Sequence, residues 1–216
     1  MICLIVLVDQ ALKFYIKTNY YLGESHQVFG EWFQLYFIEN EGMAYGWTFG
    51  GQWGKIILTL FRMCAVIFGV FYIRQIIKKK HHPGFIICAG LIFAGALGNL
   101  IDSMFYGMLF EESNYTTRNV ALFLPEKGYA GFLHGNVVDM LYFPIIRDAT
   151  YPAWVPFWGG QDFEFFRPIF NIADASISSG IIAILIFQKR FFKEEPKKDN
   201  KTVETAAVVN DEIQVS

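Results

Sequence analysis

The stretch FNIADASISSGIIAILIF, residues 170–187, places an amide and a carboxylate at the mouth of an otherwise apolar run. From Ala175 to Phe187 the run is apolar enough to predict burial in a membrane. A carboxylate at the edge of hydrocarbon loses much of its hydration, so Asp174 must pair, take up a proton or face a water-filled cavity. Asp174 is therefore a candidate functional residue. The alternative is that Asp174 is the N-cap of the last helix, since Asp is favoured there and Pro168 lies just upstream.

The composition predicts an integral membrane protein. Of the 216 residues, 54% are hydrophobic and only 18% are charged, which is more apolar than a typical soluble domain. The formal net charge of -2 comes without a basic stripe interleaved with aromatic residues, so we expect no nucleic-acid partner. The three cysteines show no metal-ligand spacing, and we expect neither a metal nor a cofactor.

Three apolar runs have the length of membrane-spanning helices, or nearly so, for a bilayer of about 30 Å. They cover Lys55 to Ile77, Phe85 to Ile101 and Ile169 to Phe187. The first segment, Met1 to Val8, is interrupted by Asp9 and Lys13 and is too short to span as written. A cleavable signal peptide would need a basic start and a cleavage site that this segment lacks, so we expect an incomplete N-terminus that truncates a first helix.

The positive charges predict the orientation of these helices. Lys78–Lys80 and a second cluster after the last run both adjoin helix ends, which places both clusters on the cytoplasmic side; the second cluster is Lys189, Arg190, Lys193, Lys197 and Lys198. Four helices with both termini inside satisfy this pattern. The prediction is a single membrane-embedded domain, 1–192, with outer-face segments at 18–54 and 103–168. Residues 193–216 form a polar tail that we expect to be disordered.

The outer segments carry strand signals. Trp32–Ile38 is rich in aromatic and branched residues, and turn signals follow at 40–42 and 50–51. We expect a small extracytoplasmic β-sheet cradle on the membrane surface, with the segment Trp32–Trp47 lying over the site. Tryptophans here also fit interfacial anchoring.

Polar residues gather at the outer ends of the helices. Residues 99 and 102, residues 171 and 174, and residues 9 and 13 are each spaced to share one helix face. Taken singly, each has another interpretation. Asp102 could bond nearby backbone at a helix end, Asp9 with Lys13 could be a structural ion pair, and Asp139 could be a solvated turn residue.

Taken together, five motifs resemble those of lipoprotein signal peptidase, the signal peptidase II family, in the same order along the chain. They are Asp9-Gln10 with Lys13, NEGMAY at 40–45, GALGNLID at 95–102, GNVVD at 135–139, and FNIAD at 170–174 with Ile177 and Gly180.

The resemblance implies an intramembrane aspartyl endopeptidase with four helices in the bacterial inner membrane. It would remove signal peptides from diacylglyceryl-prolipoproteins just before the lipid-modified cysteine, as a monomer surrounded by membrane lipids, with its active site near the outer face. The catalytic pair would be Asp139 and Asp174, sharing one proton. The residues implied to bind substrate or brace the site are Asp9, Lys13, Asn40, Gly42, Asn99, Asp102, Asn136, Asn171 and Ala173.

Two departures from the family pattern stand out. Where the family usually has Arg after the Asp of its Gly-Asn-x-x-Asp motif, this chain has Ser103, and we expect Arg118, Arg147 or Arg167 to substitute. The stretches Ser103–His134 and Arg147–Phe166 are longer than expected, and we interpret them as insertions that affect access or partners without touching the pair. Two other classes stay open. One is a proton-coupled transporter, although the chain shows no inverted repeat, and the other is a non-catalytic lipoprotein-binding relative.

Overall fold

The computed structural model of the chain describes residues 1–40, 51–144, 146–150, 152–156, 159–165 and 168–192. The predictions for Gly42, for the end of the Trp32–Trp47 segment and for the tail 193–216 therefore lie outside the described residues.

The part of the chain that the structure describes contains four long helices: α1 (Ile2–Asn19), α2 (Gly51–Lys78), α3 (Pro83–Ile101) and α4 (Ile172–Phe191). The helix of α3 continues through a π-helical turn, Asp102–Tyr106, and ends with Gly107–Leu109. Among the described residues, three helical segments are long and apolar enough to cross a membrane, namely Trp53–Lys78, Pro83–Leu109 and Ile172–Phe191. The count of four spanning helices stays a prediction.

The first helix, α1, includes most of the short apolar segment at the start of the chain. α1 runs unbroken through Asp9 and Lys13, and both side chains are buried, whereas Leu4 and Leu7 are exposed. Asp9 and Lys13 thus face the interior of the protein, whereas Leu4 and Leu7 face outward. This is the arrangement expected when the surroundings are hydrocarbon.

The run predicted as one helix from Ile169 to Phe187 is two elements. Ile169–Phe170 is a short strand, β6, and α4 begins only at Ile172. The helix cannot begin earlier because β6 pairs with the sheet, with Leu141 opposite Phe170. The sheet is therefore joined directly to the helix that carries Asp174.

The predicted small sheet is confirmed. Its strands β1 (Ser25–Phe29), β2 (Phe33–Asn40), β3 (Val137–Tyr142) and β6 pair antiparallel in the order β1-β2-β3-β6. Ile38 lies opposite Asp139, and Asn40 lies opposite Val137. A separate hairpin, β4 (Ile146–Thr150) with β5 (Asp162–Phe165), lies within the second predicted insertion.

Close helix packing brings α3 against α4. A Cβ atom added at Gly95 would lie 2.2 Å from the Ala173 carbonyl oxygen, a distance that no side chain tolerates. Small residues of this kind let helices approach when no hydrophobic effect drives them together. The contact sets Asn99 on α3 beside the first turn of α4.

The first insertion is not peripheral. The chain leaves the helix near Gly107 and returns at Gly135, where the Gly135 N–H donates to the Ser103 carbonyl at 2.9 Å. Between them, Phe110 is 1% exposed and joins the apolar core beneath the sheet with Ile16, Phe37 and Met140. The first part of this insertion therefore completes the core, and its effect on access or partners stays a prediction.

Candidate active site

Asn171 sits at the junction of β6 and α4 and organises it. Its Oδ1 accepts a hydrogen bond from the Asp174 N–H at 2.8 Å, so Asn171 is the N-cap of the helix. The alternative assignment of Asp174 as the N-cap is wrong. The Asn171 amide also donates to Asp139 Oδ1 at 2.7 Å and to Asn99 Oδ1 at 3.1 Å.

Asn99 connects the two sides of the site. Its Nδ2 donates to Asp174 Oδ1 at 2.7 Å, while its Oδ1 accepts from Asn171 and from Lys13 Nζ, the latter at 2.9 Å. Each amide therefore has one carboxylate as its acceptor: Asn171 contacts Asp139 and Asn99 contacts Asp174. The two amides fix the positions of the two carboxylates relative to each other.

Lys13 is a completely buried cation with three acceptors. It lies 2.9 Å from Asp9 Oδ2, 2.7 Å from Asp102 Oδ2 and 2.9 Å from Asn99 Oδ1. An ammonium group has three N–H donors, so this set satisfies it. The interpretation of Asp102 as a helix-end residue bonded only to backbone is wrong, since Asp102 is fully buried and pairs with Lys13.

Asp9 and Asp102 connect α1 and α3 to the site, Asp9 through a backbone N–H and Asp102 through a side chain. Asp9 Oδ1 accepts from the Ala173 N–H at 2.9 Å, beside the cap of α4. Gln10 donates to Asp102 Oδ1 at 2.8 Å and accepts from the Tyr106 hydroxyl at 3.2 Å. Gln10 stands in the first motif but was not predicted as a site residue, and it completes the polar contacts of Asp102.

Asp139 is buried in the sheet. It is 2% exposed in the middle of β3, so its interpretation as a solvated turn residue is wrong. Burial, together with the nearby charge of Asp174, raises the pKa of the Asp139 carboxyl to about 7. Lys13 and hydrogen bonds from Asn40 and Asn171 oppose this rise in pKa. Asp174 is less enclosed than Asp139, since its side chain is only partly buried.

Asn136 belongs to a second polar cluster. Its Nδ2 donates to Glu39 Oε2 at 2.7 Å, and its Oδ1 accepts from Lys55. Glu39 in turn pairs with Lys17, which is completely buried. Lys17 was missed in the sequence, although it follows Lys13 by four residues and so continues the same helix face.

Arg62, a cation that was not among the predicted site residues, lies near the site. Arg62 on α2 donates through Nη1 to Ser103 Oγ at 2.8 Å. Of the three predicted substitutes, Arg118 lies over the Tyr21 ring instead, and the side chains of Arg147 and Arg167 lie outside those that the structure describes. Arg62 was missed because its run was interpreted only as a nearly continuous apolar segment, although a charge inside such a segment is itself a signal.

Most of the predicted site residues thus meet in one place. The structure brings together Asp9, Lys13, Asn40, Asn99, Asp102, Asp139, Asn171, Ala173 and Asp174, and sets Asn136 in the neighbouring cluster. Among the described residues, no group of three or more His, Cys, Asp or Glu side chains is placed to hold a metal ion.

Comparisons with known proteins relate this chain to one family. Residues 1–190 match the family model described as signal peptidase (SPase) II. A lipoprotein signal peptidase of Porphyromonas gingivalis is 44% identical over 191 residues, which are 88% of this chain and 81% of that protein. A lipoprotein signal peptidase of Amoebophilus asiaticus is 31% identical over 93% of this chain and 80% of that protein. A solved bacterial membrane enzyme shares the fold, with a TM-score of 0.56 and 24% identity over 91% of this chain and 90% of its own.

Proposed function

Because this chain belongs to the signal peptidase II family, we propose that it is an aspartic endopeptidase that removes signal peptides from prolipoproteins, with Asp139 and Asp174 as its catalytic pair. The observation that carries the proposal is the pair of amides, Asn171 and Asn99, each donating to one of the two carboxylates at 2.7 Å. They hold two acidic groups from separate elements, a strand and a helix, at one site.

The chemistry follows from a single shared proton. Two neighbouring carboxyls do not both ionise readily, so near neutral pH one is ionised and one is protonated. The ionised carboxylate takes a proton from water as the water attacks the scissile carbonyl carbon. The protonated carboxyl donates a hydrogen bond to the carbonyl oxygen, and a proton then passes to the leaving amine as the C–N bond breaks.

Asp139 is the member suited to hold the proton. It is the more deeply buried of the two, and its pKa is raised to about 7. The Asp9–Lys13–Asp102 group supports the pair, since Lys13 reaches it through Asn99, and Asp9 fixes the first turn of α4 through the Ala173 N–H.

The proposed substrate is a diacylglyceryl-modified prolipoprotein in the bacterial inner membrane. Lipid chains on the cysteine keep that residue at the membrane surface and so position the neighbouring peptide bond.

The helix ends support the proposed orientation. His82 before α3 packs on Phe191 at the end of α4, with ring centroids 5.1 Å apart, so the basic residues at 78–80 and 189–190 share one end of the molecule. The positive-inside rule makes this end cytoplasmic, and the sheet then faces the outside.

The test is cleavage of a diacylglyceryl-modified prolipoprotein by the purified protein in liposomes. We expect wild type to cut just before the modified cysteine, and Asp139→Asn and Asp174→Asn each to lose at least about a hundredfold in kcat. Glu31→Gln changes an exposed carboxylate in the β1–β2 turn and serves as the matched control.

Two outcomes would count against the proposal. Near-normal turnover by either Asp variant would remove that residue from the pair. Binding of the lipid-modified substrate without any cleavage by wild type would favour a non-catalytic lipoprotein-binding protein.

A further inference from the structure

The second half of the first insertion exposes an apolar segment, Val120–Leu124, with the sequence VALFL. Leu122 is 63% exposed and Leu124 is 64% exposed, and the side chain of Phe123 between them is 45% exposed. Single exposed apolar residues are ordinary, but adjacent ones indicate a surface that contacts a partner or a membrane. The insertion therefore presents such a surface.

The Val120–Leu124 segment is hydrogen-bonded to the outer end of the helix that continues α3. The Leu124 N–H donates to the carbonyl of Leu109, the last residue of that helix, at 2.8 Å. The Glu111 N–H donates to the Leu122 carbonyl at 3.0 Å. Non-helical backbone is costly next to hydrocarbon unless its polar groups have partners inside the protein. These two bonds provide such partners, so the segment is suited to lie at the edge of a bilayer.

The candidate span that ends at Leu109 sets the depth of this contact. Pro83–Leu109 has 27 residues. At about 1.5 Å per residue it is about 40 Å long, whereas the hydrocarbon core of a bilayer is about 30 Å thick. The span begins just after the basic residues at 78–80, which lie on the proposed cytoplasmic side. Its outer end therefore lies in the interfacial layer, where the headgroups meet the acyl chains.

α1 gives the same depth independently. The Phe123 ring packs edge to face on the Phe14 ring of α1, with centroids 5.0 Å apart. Phe14 is itself 40% exposed. It lies one helical turn before Thr18 and Asn19, the polar residues at which α1 ends, and so about 6 Å deeper along the helix axis. Phe123 is thus just inside the level at which α1 becomes polar.

The start of the segment lies at a more polar level. Val120 forms an antiparallel bridge with Tyr21, two residues beyond the end of α1. The Arg118 guanidinium lies over the Tyr21 ring, 5.6 Å from its centroid. Tyrosine and arginine side chains are typical of the headgroup level, where an apolar body and a polar tip both find suitable surroundings. From Val120 to Phe123 the segment therefore passes from the headgroup level toward the acyl chains.

We propose that the Val120–Leu124 segment inserts into the outer interfacial layer of the bilayer, with Leu122 and Leu124 against phospholipid acyl chains and Arg118 at the headgroups. The membrane is thus the partner of the exposed part of the first insertion. This assignment uses the proposed orientation of the helices and does not depend on the proposed peptidase activity.

Nitroxide labels at Leu122→Cys and, separately, Leu124→Cys test the depth of the segment in liposomes of phosphatidylethanolamine and phosphatidylglycerol. Both side chains are exposed, so the labels fit without repacking. The exposed native thiols are first removed as Cys3→Ala and Cys64→Ala. Collisions of each label with oxygen, which concentrates in hydrocarbon, are compared with collisions with a water-soluble nickel chelate.

Two further labels provide the references. Thr116→Cys is the matched aqueous control, because Thr116 is exposed in a polar turn of the same insertion. Leu185→Cys is the bilayer reference, since Leu185 is 61% exposed in the candidate span Ile172–Phe191. We expect the ratio of oxygen to nickel collisions at Leu122 and Leu124 to exceed that at Thr116 by at least about fivefold, and to approach that at Leu185.

Two outcomes would overturn the proposal. A ratio at Leu122 and Leu124 equal to that at Thr116 would place the segment in water. Low collision rates with both reagents would mean that protein covers it, and spectral broadening that disappears on dilution with unlabelled protein would identify that protein as a second copy of this chain.

A second measurement needs no substitution. Trypsin releases the segment as the peptide Asn119–Lys127, because Arg118 and Lys127 flank it. In wild-type protein, a phospholipid with a diazirine on its acyl chain should label this peptide at least about fivefold more than a water-soluble diazirine does. Labelling of peptides from the candidate spans without labelling of Asn119–Lys127 would contradict membrane insertion, whether or not the protein cleaves prolipoproteins.

Discussion

Lys13 and Lys17 lie one helical turn apart on α1, and both side chains are completely buried, yet their surroundings differ. Lys13 contacts two carboxylates and an amide, all at 2.7 to 2.9 Å. Lys17 pairs with one carboxylate, Glu39, and with the Ser113 hydroxyl at 2.9 Å. Its other neighbours are three aromatic rings, Phe37, Phe110 and Tyr129, with centroids 5.0 to 5.9 Å from its ammonium nitrogen.

The difference shows that one helix face supports two separate tasks. The partners of Lys13 come from α1 and α3, and one of them, Asn99, also contacts Asp174. The partners of Lys17 come from β2 and from the first insertion, and its aromatic neighbours belong to the apolar core or pack against it. We therefore expect Lys13 to govern activity, and Lys17 to hold the sheet and the insertion on the helices.

Replacement of Lys13 should have the largest effect and tests whether Lys13, unlike Lys17, governs activity. Lys13→Met leaves Asp9 and Asp102 buried without their shared cation, and loss of one partner from a buried ion pair typically destabilises a protein by about 3–5 kcal/mol. We also expect at least a hundredfold loss of cleavage, since Asn99 loses its donor. Denaturant unfolding in detergent and the liposome cleavage assay measure the two effects. Lys79→Met, at an exposed site beyond α2, is the control.

Removal of Lys17 should separate stability from activity. Lys17→Met should lower the free energy of unfolding by about 2–3 kcal/mol, because Glu39 keeps its hydrogen bond from Asn136 and retains some solvent contact. Cleavage by the folded fraction should stay within about threefold of wild type. The double variant Lys17→Met with Glu39→Gln removes both charges and should recover part of the lost stability. A hundredfold loss of cleavage in Lys17→Met would end the proposed division of tasks.

The pH dependence of stability tests the environment of Asp139, the carboxyl near Lys13. The pKa of Asp139 is raised to about 7 in the folded protein, above the unfolded value of about 3.9, so the native state binds the extra proton between these pH values. Stability from this group is therefore present below about pH 4 and is lost as the pH rises through 7. Asp139→Asn abolishes that loss, and it should be more stable than wild type at pH 8 by about 1–3 kcal/mol and similar to it at pH 4. Melting curves at the two pH values test this sign.

The residues around Lys13 were predicted from the sequence far better than the residues around Lys17, for a physical reason. Asp9, Lys13, Asn99 and Asp174 lie within apolar helices, where each polar residue is conspicuous. Lys17 contacts Glu39 in a strand and Ser113 in an insertion, and neither residue stands out in a segment that is polar throughout. Helical spacing also predicts which residues share a face, but it cannot predict which face of α2 turns toward α3, so the contact of Arg62 with Ser103 was not predictable.

The boundary of the last helix shows a second limit. Hydropathy does not distinguish Ile169 and Phe170 from the helix that follows, because apolar residues suit both a strand and a helix. Pairing with β3 decides the matter, and that pairing joins residues nearly thirty positions apart. Asn171 then caps the helix, whereas Asp174 seemed equally suited from its residue type alone.

The smallest expected effect concerns the insertion. Ser113 is 7% exposed and provides one of the two oxygen acceptors of Lys17. Ser113→Ala leaves one ammonium proton without its oxygen acceptor, while Glu39 and the aromatic rings still surround the charge, so we expect a loss of about 1 kcal/mol in unfolding free energy with unchanged cleavage. The same substitution in the Lys17→Met background should have almost no further effect, because the hydroxyl then has no ammonium group to bind. An undiminished loss of stability in that background would mean that Ser113 stabilises the insertion independently of Lys17, and the second cluster would then not be one cooperative unit.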